Sequence, residues 1–235
     1  MTTSSSPLPL LLLTGYTLVD YSFDDFPLPD NVHPIWKKIP AIKRAFAANP
    51  AAEWVLWLDL DVILMTASLP LSTHLLAPSV LQQKLLPSFP ILGSSTRITP
   101  AAPNATAVDL IFACDWSGVN AGVMLLRRSA WTEMLLDLWM DPLLIAQDWP
   151  AREQEALVHL LDKHDSIWDH VGVVSQRDLN ANAFEDEKAG WHEGDLLVHF
   201  AGCWVNGECE AHWEEFWRRR SPVPVRYLQG VREWA

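Results

Sequence analysis

The chain is poor in several things that would have assigned it quickly. No stretch approaches the ~20 consecutive apolar residues that cross a bilayer, so the sequence predicts no membrane-spanning helix. The longest early apolar stretch, Pro7–Leu13, is interrupted by Pro9 and lacks a basic lead-in, so it does not read as a secretory leader. Cationic residues are scarce: 17 Lys and Arg against 29 Asp and Glu leave a net charge of −12. That deficit excludes nucleic acid or an anionic membrane surface as the main partner. Cysteine is limited to three residues, with no second Cys/His pair at zinc spacing, which excludes a structural zinc site. No internal repeat is visible.

Apolar residues and tryptophan are plentiful. Apolar types make up 49% of the 235 residues, enough for one sizeable α/β domain with a real core. Thirteen tryptophans are present. Most are expected in the core, with stacking on sugar rings the alternative.

Local signals divide the chain into alternating strands and helices. Residues 1–14 read as an abbreviated or disordered N-terminus and 15–235 as one folded domain. Strands are expected over Leu10–Val19, Trp54–Leu58, Phe89–Gly93, Val108–Cys114, Val123–Leu126, Val171–Val174 and Gly194–Phe200. Helices are expected over Ile35–Ala48, Ala130–Met140, Ala151–Lys163 and Glu210–Arg220. Pro78 should split Leu69–Leu86 into two short helices, and Phe23–Pro34 reads as a loop. This alternation predicts a mixed, mainly parallel α/β sheet.

The most informative segment is Trp54–Met65, WVLWLDLDVILM. A short aromatic, apolar strand ends in Asp59 and Asp61. Alternate residues of an extended chain face the same way, and ligands of open α/β sheets gather at the carboxyl ends of strands. Two neighbouring carboxylates repel unless a cation lies between them. Hard oxygen donors suit Mg²⁺ or Mn²⁺, and such an ion grips a diphosphate.

Other residues join that pair with a bland alternative beside each. His199 closes the apolar run Leu196–His199 and is either a third ligand, suited to Mn²⁺, or a rim residue. Gly202 would let the backbone approach a phosphate. Asn120-Ala121-Gly122 suggests a ligand close to the backbone or, equally, a turn. Glu153-Gln154-Glu155 opens a helix, where acids also complement the macrodipole. Asp115 follows a strand and could cap a loop. Cys203 and Cys209 flank Asn206-Gly207, so they form either a small disulfide loop of an oxidising compartment or two free thiols. Asn104-Ala105-Thr106 is a glycosylation sequon pointing to the same compartment.

These pieces, in this order, resemble glycosyltransferase family 34, which holds fungal α-galactosyl- and α-1,6-mannosyltransferases and plant xyloglucan xylosyltransferases. The resemblance runs through His33-Pro34-Ile35-Trp36-Lys37-Lys38-Ile39, Glu53–Asp61, Asp115–Gly122, Glu153–Leu157, Ser175–Asn180 and Gly194–Cys203. It covers roughly residues 15–215. It implies a GT-A fold with a single Rossmann-like nucleotide-sugar-binding domain, Mn²⁺ or another divalent cation, and retention of anomeric configuration. Asp61 would be the principal metal ligand, Asp59 would hold the metal or the donor ribose, and His199 would be the third protein ligand. Asn120, Gly122, Glu153 and Gln154 would line the donor sugar and acceptor, with Lys38 on the donor side. The partners implied are GDP-mannose or UDP-galactose, a glycan acceptor, and other Golgi glycosyltransferases. The family's members lie in the Golgi lumen on a type II anchor, a segment not seen in this chain. Cys114 and Trp204 depart from the family's usual Gln and Lys.

Two other readings carry distinct expectations. A haloacid-dehalogenase-type phosphatase also places Asp-x-Asp after an apolar strand. A catalytically impaired carbohydrate-binding protein would keep the fold without turnover.

Overall fold

A computed structural model describes residues 16–221 apart from 18, 20, 67, 93–94, 99–103 and 185. Its strands are β1 (Trp54–Leu58), β2 (Val62–Leu64), β3 (Ser88–Leu92), β4 (Ser95–Ile98), β5 (Leu110–Asp115), β6 (Gly118–Arg127), β7 (Val171–Val174), β8 (Ala181–Asn182) and β9 (Leu197–His199). Its α-helices are α1 (Lys38–Ala48), α2 (Pro78–Lys84), α3 (Ala130–Trp139), α4 (Pro142–Ile145), α5 (Arg152–Lys163), α6 (Gln176–Leu179), α7 (Cys203–Asn206) and α8 (Cys209–Arg219).

The larger sheet runs β4-β3-β6-β5-β7, and β1 also pairs with β6. A smaller sheet runs β2-β9-β8. The α/β class and the mixed sheet agree with the sequence. The balance of directions does not: β5–β7 and β8–β9 are parallel, while β1–β6, β3–β4, β3–β6, β5–β6 and β2–β9 are antiparallel. The expectation of a mainly parallel sheet is therefore corrected. The cause is a hairpin. Only Trp116 and Ser117 separate β5 from β6, too short a link for the crossover that parallel strands require. Asp115 shapes this turn, its Oδ1 accepting from Ser117 N at 2.7 Å and Ser117 Oγ at 2.6 Å.

β6 is longer than the apolar run Val123–Leu126 suggested. Gly118–Gly122, whose residue types resemble a turn, are its first half. Gly118 is required there: its φ is +120°, and a Cβ would lie 2.5 Å from Ile91 O in the neighbouring strand. The strand expected over Leu10–Val19 falls largely outside the described residues. The paired short helices around Pro78 are present, as a π-turn Ser72–Leu76 followed by α2. The loop expected over Phe23–Pro34 contains a 3-10 turn, Phe23–Asp25.

Alternation along the central strands supplies both faces with core. Leu110, Phe112, Met124 and Leu126 face Ile39, Ile42, Leu135, Trp139 and Leu157 of α1, α3 and α5. Ile111, Val123 and Leu125 face Leu75, Leu81, Leu179 and Leu197 on the other side. This is the period-two pattern of strands buried on both faces. A third cluster gathers Ile63, Met65, Val198, Phe200 and Phe216 beneath α8. Among the described tryptophans, only Trp116 and Trp204 are largely exposed, so packing is their main use.

Candidate metal and donor site

Asp59, Leu60 and Asp61 form the corner at which the chain leaves the larger sheet and enters the smaller one. Asp59 N donates to Gly122 O at 2.8 Å, adding one rung to the β1–β6 ladder. Asp61 O accepts from Phe200 N at 2.9 Å, which fastens it beside β9. Leu60 between them is 87% exposed, so the two carboxylates share the opposite side. The β2–β9 pairing sets Val62 across from His199. A residue far down the chain thus arrives at the aspartate corner.

One ligand atom each from Asp59, Asp61 and His199 lie within 4.8 Å of one another. Three donors this close can share one divalent ion and leave its remaining positions open to other oxygen ligands. Two carboxylates and an imidazole fit Mn²⁺ by donor chemistry. His199 Nε2 sits 3.3 Å from Asp61 Oδ1. Burial pushes the Asp61 carboxyl up, but His199, a backbone hydrogen bond and Lys38 together hold it below the ordinary aspartate value.

Asp59 is held from behind. Its Oδ1 accepts from Trp57 Nε1 at 2.7 Å and lies 3.2 Å from Lys38 Nζ. Lys38 also reaches Glu153 Oε1 at 2.9 Å and Ala121 O at 3.2 Å. Burial disfavours the Lys38 ammonium, yet the two carboxylates beside it raise its pKa above the ordinary lysine value. Burial raises the Glu153 carboxyl despite the opposing pull of Lys38. Lys38 is therefore a charged internal tie between Asp59 and Glu153. Its ammonium offsets part of the negative charge on Asp59.

Several other expected contacts are also engaged within the protein. Glu153 is 2% exposed and paired with Lys38. The cap role goes to Glu155, whose Oε2 accepts from Ala151 N at 2.9 Å. Gln154 Oε1 accepts from Ala121 N at 2.9 Å. Asn120 is buried, donating through Nδ2 to Asp115 Oδ2 at 2.8 Å and accepting at Oδ1 from Gly122 N at 2.9 Å. Asn120 and Asp115 thus brace the β5–β6 hairpin. At Gly122 a Cβ would lie 2.3 Å from His199 Cε1. The glycine's small size admits the imidazole.

Gly202 has φ +79°, and a Cβ there would meet open space, so its backbone conformation is what favours glycine. Cys203 and Cys209 are joined in a disulfide with Cα atoms 4.8 Å apart. Asn104 is exposed, and its Oδ1 accepts from Thr106 N at 3.0 Å. Sequence reasoning missed Trp57 and Asn180. Trp57 is two residues before Asp59 on the same strand face, a signal that was present. Asn180 reaches His199 only through the folded chain.

The profile of the galactosyl transferase GMA12/MNN10 family matches residues 12–210. The chain belongs to this family. The phosphatase reading falls with that match. Among GMA12/MNN10 relatives, the chain is 37% identical over 192 residues to the probable alpha-1,2-galactosyltransferase gmh1 of Schizosaccharomyces pombe, covering 79% of this chain and 58% of that protein. It is 31% identical over 191 residues to the probable alpha-1,6-mannosyltransferase MNN10 of Saccharomyces cerevisiae, covering 74% and 47%. The chain spans roughly half the length of such relatives. A solved glycosyltransferase involved in glycosylation of the major capsid of PBCV-1 has a similar fold, with TM-score 0.56 and 17% identity, covering 91% of this chain and 96% of that one. The fold is accordingly a GT-A-like glycosyltransferase fold. No helix among the described residues is long and apolar enough to cross a membrane.

Proposed function

We propose that this GMA12/MNN10 chain is a retaining, divalent-cation-dependent hexosyltransferase. It moves galactose or mannose from UDP-galactose or GDP-mannose to a glycan hydroxyl, in an α-linkage. The observation that carries the reading is the convergence of Asp59, Asp61 and His199 at the seam between the two sheets. When bound, a Mn²⁺ ion there supplies Lewis-acid neutralisation of the charge that grows on the leaving diphosphate.

The chain's own groups do the rest. Asp61 and His199 would hold the metal from the side of the smaller sheet, and Asp59 from the side of the larger. Trp57 and Lys38 fix the Asp59 carboxylate, so little reorganisation remains when substrate arrives. Gln154 keeps the start of α5 against the Ala121 backbone, beside the same corner. Among the described residues no side chain near the triad is placed as a secure nucleophile, so retention fits front-side attack, with the leaving phosphate oxygen taking the acceptor proton. The disulfide and the exposed sequon support a lumenal compartment, here the Golgi, in company with other glycosyltransferases.

The test is a sugar-nucleotide panel with Mn²⁺ or with chelator, followed by assignment of the product's anomeric configuration. Turnover of one hexose donor, an α-linked product, loss with chelator, and loss in Asp61→Ala are expected. Glycan binding without donor turnover would instead support the carbohydrate-binding reading. Full turnover by Asp61→Ala would refute the metal assignment.

A further inference from the structure

His199 has two ring nitrogens, and only one can face Asp61. Its Nε2 does so, at 3.3 Å from Oδ1. Its Nδ1 lies 2.8 Å from Asn180 Oδ1. Both residues are buried, His199 at 4% and Asn180 at 2% exposure. A buried polar pair of this kind must satisfy itself, because water cannot. An amide oxygen only accepts, so this contact requires a proton on Nδ1. With Nδ1 held as a donor, the charged ring donates from Nε2 to Asp61, and a ring that gives up its Nε2 proton carries its lone pair there, the form a metal needs.

The local fold explains why Asn180 is there. Ser175 caps α6, its Oγ accepting from Asp178 N at 3.3 Å. Asn180 then ends the helix, its N donating to Gln176 O at 2.6 Å. The chain passes directly into β8, which pairs Asn182 with His199 in parallel. The side chain of Asn180 is thereby aimed across the small sheet at the ring. On the other edge of the ring, the missing Cβ of Gly122 leaves the space that Cε1 occupies.

We propose that Asn180 is a positioning residue, which fixes the Nδ1-protonated form of His199 and so presents Nε2 to the divalent cation. This rests on the metal reading above. Outer-shell partners of ligating histidines commonly contribute 10–100-fold in metal affinity.

The test has two independent readouts. The first is the protonation of His199 Nδ1 in the metal-free wild-type protein, from long-range proton–nitrogen NMR correlations of the ring. A protonated Nδ1 is expected; a bare Nδ1 would overturn the proposal. The second is Mn²⁺ binding followed by electron paramagnetic resonance, in wild type, Asn180→Ala and Asn180→Asp. The dissociation constant should rise about 10–100-fold in Asn180→Ala and stay near wild type in Asn180→Asp, whose carboxylate still accepts from Nδ1. Equal affinity in Asn180→Ala, or an equal loss in both variants, would overturn it. Thermal melts in chelator show whether each variant is folded. Should wild type bind no Mn²⁺, the metal reading fails, and the Nδ1 measurement still decides what Asn180 does.

Discussion

Replacing Gly122 by alanine tests the site through one methyl group. The added Cβ would lie 2.3 Å from His199 Cε1, 3.0 Å from Nε2 and 3.1 Å from Asn120 Oδ1. Ordinary contact begins at 3.4 Å, so the ring must retreat by roughly 1 Å. It cannot turn freely, since Nδ1 is held by Asn180. β6 cannot move easily either, because it is paired to β1 on one edge and β5 on the other. Metal–ligand distances tolerate only about 0.2 Å, so His199 is lost as a ligand or the ion is held badly. The expected consequence is a Mn²⁺ affinity at least ~10-fold weaker, about 1.4 kcal/mol. Overpacking should cost a further 1–3 kcal/mol or so of stability. Isothermal titration with Mn²⁺, beside a denaturant melt in chelator, separates the two effects. A Gly122→Ala protein that binds Mn²⁺ as wild type does would refute the claim that the glycine makes room for the imidazole.

Three further outcomes are expected. Lys38→Met leaves Asp59 and Glu153 without their buried cation and should destabilise the fold by about 3–5 kcal/mol, whereas Lys38→Met with Glu153→Gln should recover most of that in chemical denaturation; an unaffected single variant would contradict the internal tie. Burial, with Asp115 beside it, pushes the Cys114 thiol far above its ordinary pKa. Native protein at pH 8 should therefore resist iodoacetamide, while mass spectrometry should find one alkylated cysteine after denaturation and three after reduction. The folded Asp61 carboxyl lies below its ordinary value, so its ionised form stabilises the fold above the unfolded pKa, and that contribution is lost as pH falls through the folded value. Metal-free melts of Asp61→Asn should accordingly show a shallower acid limb than wild type, and identical limbs would contradict the His199–Asp61 contact.

Much of the metal corner was legible in sequence. An apolar strand that stops at two alternating carboxylates is a local pattern, and so is a histidine at the end of Leu196–His199. What surrounds them was less legible, for two physical reasons. Some residues had ordinary local explanations that hid their real partners. Glu153 looked like a helix-start acid, and Lys38 looked like a cation free to reach a donor, yet they neutralise each other in the interior. Other residues owe their identity to contacts between distant segments. The missing Cβ at Gly122 and the amide at Asn180 make sense only once β6, β8 and β9 meet. The sheet was misread for a related reason. Gly118, Asn120 and Gly122 are turn formers by type, and only the close passage of β3 and His199 shows why a strand uses them. The short β2 was hidden because it begins one residue after Asp61, inside the motif itself.

Anomalous diffraction at the manganese edge, from crystals grown with Mn²⁺ and a nucleoside diphosphate, addresses the central claim most directly. The account predicts a single peak inside one coordination sphere of Asp59, Asp61 and His199, with the diphosphate on its open side. A diphosphate bound elsewhere, or a manganese peak that leaves His199 outside its sphere, would contradict it.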